Sequence, residues 1–290
     1  MAIRQGTTSL TGIYMGATEV QKVYQGTDLI YSAAAPLDPD AQAFLTATGI
    51  TDATETSAIN QLVLDMKGAG VWTKVQAAYP LVGGTATTQK YNLMDPQDTD
   101  AAFRLTWNGT WIHNSDGIKG DGSTTTAVTN WNPAANVTSS TGCHLVLTTN
   151  VAKTNGQYDM AGAQSGFGDW GIIVGYLGNN NGYANTGSGW LTGTLGATPN
   201  AYVGTMAMSH DGTSTLTSFW PDGTQLAQST SHTFNLPTYD IPIGGADING
   251  TLERWANAGY SFSSLGEYLT NTQMADYTTA IDTYNTALSR

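Results

Sequence analysis

Charge is scarce in this sequence. Charged residues fill 11% of its 290 positions, with 10 Lys and Arg against 22 Asp and Glu and a net charge of −12. An ordinary soluble domain carries about 25%. So acidic a surface repels a phosphate backbone, which removes nucleic acid from the expected partners. Cysteine occurs once, at Cys143, so neither an intrachain disulfide nor a Cys-cluster metal site is open to the chain. Within Thr141-Gly142-Cys143-His144-Leu145-Val146-Leu147 it reads as an inert thiol buried in a strand. Glu is rare too, at Glu19, Glu55, Glu253 and Glu267 only. No apolar run approaches the roughly 18 residues of a membrane span, and Met1-Ala2-Ile3-Arg4-Gln5-Gly6 lacks a signal-peptide core. The expectation is a chain made in the cytoplasm, with no export signal and no membrane insertion.

What is present describes a folded β protein. Eight Trp, 14 Tyr and 6 Phe supply the large apolar surfaces that drive collapse, which sets the chain apart from disordered acidic sequences. Forty-five Thr, 34 Gly and an Asp-dominated acid content suit strands joined by tight turns. A short repeat opens the chain: Ile13-Tyr14-Met15-Gly16-Ala17-Thr18-Glu19-Val20 returns as Val23-Tyr24-Gln25-Gly26-Thr27-Asp28-Leu29-Ile30, each copy a strand, a glycine turn and a strand. A unit this small cannot build its own core, so residues 1–35 read as a β anchoring module that lies on something else.

Residues 36–82 read as a helical bridge. Asp52 and Glu55 resemble a capping box, and Ile59, Leu62, Val63 and Met66 follow at helical spacing, predicting a helix over 54–67. Further helices are predicted over 39–48 and over 71–79, the latter ended by Pro80. From about 100 to 265, short runs rich in Val, Ile, Thr, Tyr and Trp alternate with Asn-Gly and Asp-Gly pairs such as Asp121-Gly122, Asp211-Gly212 and Asn249-Gly250. That pattern predicts an antiparallel β-sandwich over 83–290. Trp107 and Trp111 are expected as packing residues on opposite arms of a hairpin turning at Asn108-Gly109. A closing helix starts at the capping box Thr270-Asn271-Thr272-Gln273 and carries Met274, Tyr277, Ile281, Tyr284 and Leu288 on one face.

Three stretches, taken in order, resemble a tailed-bacteriophage virion structural protein with a concanavalin A-like (laminin-G-like) jelly roll. The first runs from Gly83-Gly84-Thr85 through Tyr91-Asn92-Leu93-Met94-Asp95-Pro96 to Phe103-Arg104-Leu105, the lead-in to the jelly roll. The second is Trp220-Pro221-Asp222-Gly223 with Ile241-Pro242-Ile243-Gly244-Gly245. The third is Tyr260-Ser261-Phe262-Ser263-Ser264-Leu265-Gly266-Glu267-Tyr268-Leu269-Thr270 with the helix after it. The likeness spans about residues 10–32 and 60–290. It implies a mainly β protein located in the virion, docked on other virion structural proteins through residues 1–35, present as a homo-oligomer or in multiple copies, and displaying a lectin-like domain as head decoration, neck, tail or fibre component. The alternative within the same fold is a glycan-binding module that recognises host-surface sugars, and a third is a glycoside hydrolase or depolymerase.

Chemistry has little sequence support. Hydrolases of this fold use two Glu flanking an Asp on one strand, and no Glu-x-Asp-x-x-Glu string occurs here. His113, His144, His210 and His232 show no zinc spacing, and Gly187-Ser188-Gly189 lacks the strand-to-helix context of a nucleophile elbow. Gly120-Asp121-Gly122 and Asp247-Ile248-Asn249-Gly250 could offer oxygens to calcium, but hairpin turns explain them better. No catalytic residue, metal or cofactor is therefore expected. The densest mixture of aromatic, Asn and Gly residues is the region of Trp170, Asn180, Asn181, Tyr183 and Trp190, the composition a sugar-binding surface needs. The competing reading places Trp170 and Trp190 in the core and makes the Asn run a solvated turn.

Overall fold

The computed structural model describes every residue except 1–3, 6–7, 10–13, 16–17, 21, 26, 33–35, 156, 167, 175–180, 188, 196–201 and 221–222. It divides into two compact units, Met1–Leu37 and Asp38–Arg290. The first consists of hairpins: Arg4–Gln5 with Thr8–Ser9, Tyr14–Met15 with Thr18–Glu19, and Lys22–Gln25 with Asp28–Ser32. The closing pairs Gln5–Thr8, Met15–Thr18 and Gln25–Asp28 fall ten residues apart, so the repeat has a third copy that begins at Ile3.

The second unit opens with two helices set by their caps. Asp38 accepts from the Asp40 amide ahead of Pro39–Thr48, and Asp52 accepts from the Thr54 and Glu55 amides ahead of Ala53–Gly68. Lys67 Nζ ties the helices together, 2.6 Å from both Asp38 and Asp40. The third expected helix is not there: Val75–Tyr79 is a strand paired antiparallel with Gly259–Gly266. Its alanines suit a helix, but Ala77 and Tyr79 fall at strand period on the core side, and the Tyr79 hydroxyl donates to Phe103 O at 2.6 Å. Burial along a sheet outweighs the weak propensity of five residues.

Two sheets form the sandwich. One runs in the order Thr224–Ser229, Leu216–Trp220, Gly204–His210, Cys143–Val151, Gly259–Gly266, Gly117–Lys119 and Ile112–Asn114, with Val75–Tyr79 joining Gly259–Gly266 off that path. The other runs Leu191–Thr194, Asn181–Thr186, Gly168–Val174, Met160–Gln164, Gly245–Ile248 and Thr251–Glu253. Pairing is antiparallel as expected, save that Met160–Gln164 and Gly245–Ile248 run parallel. The two-residue turn at Asn249-Gly250 has both φ angles positive, at 53° and 84°, which the Asn-Gly pair tolerates. Trp107 and Trp111 do pack together, with centroids 5.9 Å apart, but not as arms of one hairpin. Trp107 lies on Thr106–Asn108, which pairs with Thr126–Val128, whereas Ile112–Asn114 pairs with Gly117–Lys119.

Between the sheets lie Leu145, Leu147, Met206, Met208, Tyr260 and Leu265 from one and Met160, Trp170, Ile172 and Val174 from the other. Cys143 is fully buried, and burial pushes its thiol pKa up, which keeps it unreactive. The outer face of the first sheet is covered by the closing helix Asn271–Ala287. Thr270 and Gln273 cap it reciprocally, Met274, Tyr277, Ile281 and Tyr284 are buried, and Leu288 at its end is half-buried. Phe262 meets the rings of Tyr277 and Tyr284 at 6.2 and 6.3 Å. No helix among the described residues is long and apolar enough to cross a membrane.

A buried ionic centre joins the two sheets. Asp159 is fully buried and accepts from Lys153 Nζ at 2.5 Å, the Tyr260 hydroxyl at 2.9 Å and the Val174 amide at 2.7 Å. Lys153 also donates to Gln157 O at 2.7 Å. Burial pulls the Lys153 pKa down and the Asp159 carboxylate opposes that shift. Removing one partner would strand the other charge, so Asp159→Ala should destabilise the fold by about 3–5 kcal/mol in urea titrations. The double change Asp159→Leu with Lys153→Met should recover much of that loss.

His144 gives the fold a pH dependence. It is fully buried, with one ring nitrogen 2.6 Å from Glu267 O, and burial, aided by Lys74, pushes its pKa down to about 4. Between pH 6.5 and 4 the unfolded chain binds the proton and the folded one does not, so stability falls as pH falls through this window. The loss from this group reaches about 3 kcal/mol by pH 4. His144→Gln should flatten that part of the melting temperature against pH curve, and an unchanged slope would assign the effect to other groups.

Candidate functional site

Strand alternation sorts the predicted residues onto two faces. Along Gly168–Val174, Trp170, Ile172 and Val174 enter the core, so Asp169, Gly171 and Ile173 face away from it. Tyr183 stands opposite Ile173 and therefore shares the outer face. Trp190 precedes the edge strand Leu191–Thr194, and its Nε1 donates to Asp169 Oδ2 at 3.1 Å. The indole meets Tyr158 at 5.7 Å and Tyr183 at 6.3 Å, both edge-on. All three rings are half-buried, so each keeps an exposed part.

The five predicted positions separate accordingly. Tyr183 and Trp190 come together, and Asn181 begins the Tyr183 strand, opposite Thr194. Asn180 lies outside the described residues. Trp170 does not belong to the surface: it is fully buried, donates to Asn235 O at 2.8 Å and packs on Trp131 and Phe234. A ring held this way offers no face to a ligand. The residues that sequence reading did not select are Tyr158 and Asp169. The period-2 pattern Trp170, Ile172, Val174 contains the signal for Asp169, since it assigns Asp169 to the outer face. Tyr158 has no such signal, because only the tertiary fold brings it to Trp190.

A cleft of about 320 Å³ opens beside Trp190, between the edge strands of the two sheets, lined by Gly189, Trp190, Leu191, Ser229, Ser231 and His232. His232 is 6% exposed, and its Nε2 is buried with no hydrogen-bond partner among the described residues. Burial lowers its pKa, which keeps the ring neutral at pH 7 and able to donate or accept. Two serine hydroxyls, a neutral imidazole and an indole edge make a cleft suited to hydroxyl-rich, uncharged ligands.

Acidic groups are placed differently. Glu253 lies on a strand of one sheet and Glu267 just beyond a strand of the other. Burial raises the carboxyls of Asp240 and Asp247, and the Asp247 charge raises Asp240 further. Asp247 also accepts from the Gly250 amide at 2.8 Å, which commits one oxygen to the Asn249-Gly250 turn. At Asp121, burial is outweighed by hydrogen bonds from Thr124, Ser123 and Thr125, which hold the carboxyl well below its usual range. Asp211 is held in the same way by Thr213, Ser214 and Thr215. Both Asp-Gly loops spend their carboxylates on their own amides, Asp211 in the hairpin between Gly204–His210 and Leu216–Trp220, and Asp121 in a link between Gly117–Lys119 and Thr126–Val128, which pair with different strands.

No protein-family model matches the sequence, and no curated protein matches it. Among solved structures, the chain is similar to domain 4 of AbnA, a GH43 extracellular arabinanase from Geobacillus stearothermophilus, in complex with arabinotriose, at 16% identity and a TM-score of 0.45 over 71% of this chain and 98% of that one. It is similar to the binding domain of Paraclostridial Mosquitocidal Protein 1 at 11% identity and a TM-score of 0.47, over 71% of this chain and 52% of that one. A third likeness is to the CBM40 of the Ruminococcus gnavus IT-sialidase bound to α2,3 sialyllactose, at 11% identity and a TM-score of 0.36, over 47% and 81% of the two chains.

Proposed function

We propose that the sandwich is a non-enzymatic, glycan-binding module of lectin type, and that residues 1–35 fix it to a larger particle. The observation that carries the binding half is the row Tyr158–Trp190–Tyr183, with its central indole oriented by Asp169 and an open polar cleft beside it. A pyranose has apolar faces and a polar edge. The exposed parts of the rings supply stacking surface, and Ser229 and Ser231 supply hydroxyls at the rim. The attachment half is supported by the likeness of the sequence to tailed-phage virion proteins and by the hairpin repeat, a unit separate from the sandwich. The hydrolase reading has one observation in its favour, the raised carboxyls of Asp240 and Asp247, of which Asp247 is tied to a turn.

Trp190→Ala should weaken retention on host-surface glycans by about 1–2 kcal/mol, roughly five- to thirtyfold, while the melting temperature stays near that of the parent. Trp170→Ala should instead destabilise the fold by about 3–5 kcal/mol. An array on which the parent protein retains no glycan would overturn the binding assignment, and reducing-sugar release abolished by Asp240→Asn would overturn the non-enzymatic one. Deleting residues 1–35 should leave a folded sandwich that no longer incorporates into particles. Normal incorporation of the truncated chain would sink the anchor.

A further inference from the structure

We propose that the buried pair Lys153–Asp159 is a self-modification site, at which the folded chain joins the two side chains in an amide cross-link with loss of one water molecule. Among the ion pairs of the described residues, this is the one from which solvent is shut out on both sides, with the Lys153 side chain 3% exposed and the Asp159 side chain fully buried. The pairs of Lys67, Lys90 and Arg104 all keep contact with water. The site also closes the neck of a connection between the sheets. Lys153 lies just beyond Cys143–Val151 of one sheet, and Asp159 immediately precedes Met160–Gln164 of the other.

An amine and a carboxyl group condense when the reacting atoms are held in contact and water is kept out. Lys153 Nζ lies 2.5 Å from Asp159 Oδ2 and is fixed there by a second bond to Gln157 O at 2.7 Å. Holding the two groups in this way supplies the effective concentration that a bimolecular step lacks. Burial draws Lys153 toward the neutral amine, which is the nucleophilic form, against the opposing pull of the Asp159 charge. A buried ion pair bears a desolvation penalty on both of its charges. The amide has no charge, and the released water returns to solvent, so condensation relieves the core of that penalty.

The neighbours assign the two carboxyl oxygens different fates. Oδ1 accepts from the Tyr260 hydroxyl at 2.9 Å, and burial, reinforced by the Asp159 charge, pushes the Tyr260 pKa well up, so that hydroxyl keeps its proton. The Lys153 ammonium first passes a proton to Oδ2, leaving a neutral amine beside a carboxylic acid. The Nζ lone pair then forms the bond to Cγ, and the carbonyl electron pair moves onto Oδ1, where the Tyr260 hydroxyl stabilises it as an oxyanion-hole donor does. A second proton moves from Nζ to Oδ2, the Cγ–Oδ2 bond breaks, and Oδ2 departs as water from beside the Val174 amide. Oδ1 becomes the amide oxygen, still bonded to Tyr260, and the one hydrogen left on Nζ faces Gln157 O. No oxidant, cofactor or second molecule is consumed. The product is a covalent ring across 153–159 that locks the loop carrying Tyr158.

The test is the intact mass of the folded full chain, which should be lighter than its sequence requires by one water molecule, about 18 Da. After unfolding, chymotrypsin cuts behind Tyr158, and the segments on the two sides of that cut should stay joined through Lys153 and Asp159. Lys153→Arg, which keeps the charge pair, and the double change Lys153→Met with Asp159→Leu should both restore the full mass. Tyr260→Phe should slow the mass loss in freshly synthesised chain roughly a hundredfold. A full mass in the folded parent chain would overturn the cross-link. So would a deficit that persists in both Lys153 variants or comes without a branched peptide, since ring closure at an Asp-Gly pair such as Asp121-Gly122 loses the same water. An unchanged rate in Tyr260→Phe would overturn the role given to that hydroxyl.

Discussion

The structure turns on the buried carboxylate of Asp159. A charge so deep in a core is tolerable only with its partners in place, and those partners come from three directions: Lys153 from the preceding loop, Tyr260 from one sheet and the Val174 amide from the other. The same network that relieves the charge therefore sets the spacing of the sheets. It also reaches the surface. Tyr158 is the residue just before Asp159, and Val174 ends the strand whose second residue is Asp169. Fixing Asp159 places Tyr158 at one end of the Trp190 row and holds the strand that orients the indole.

Once the sheets are fixed, period-2 alternation divides labour without further devices. One side of Gly168–Val174 packs Trp170 against Trp131, and the other side presents Asp169 to Trp190. The first sheet is treated differently, because Phe262 and His144 face the closing helix through Tyr277 and Tyr284. A sandwich so arranged has a helix-covered face and an aromatic one.

What could be read from sequence was whatever is local. Asp52, the Thr270–Gln273 box and Asn249-Gly250 fix element ends through contacts within a few residues, and the helices over 53–68 and 271–287 and the 249–250 turn appear where those signals put them. The segment 71–79, expected as a helix, is one whose state is decided more than 180 residues away, at its pairing with Ser263 and Leu265. The third hairpin copy at Ile3 was legible, since it repeats the glycine at the same ten-residue phase. Tyr183 and Trp190 were legible as a composition. Tyr158 and the cleft residues Ser229 to His232 were not, because they reach Trp190 from other strands and loops.

Charge narrows the chemistry this surface can serve. The chain carries −12 overall, and several of its cations are already engaged: Lys67 with Asp38 and Asp40, Lys90 and Arg104 with Asp98, Lys153 with Asp159, Arg290 with backbone carbonyls. An anionic sugar would approach against the field of the whole domain and would find Asp169 at the aromatic row. Asp169 itself accepts from the Trp190 indole, so it acts as a positioning group for the ring rather than as a free charge. On the proposed reading, stacking on Trp190 with hydrogen bonds from Ser229 and Ser231 is a recognition chemistry without ion pairs, which would favour neutral glycans over charged ones.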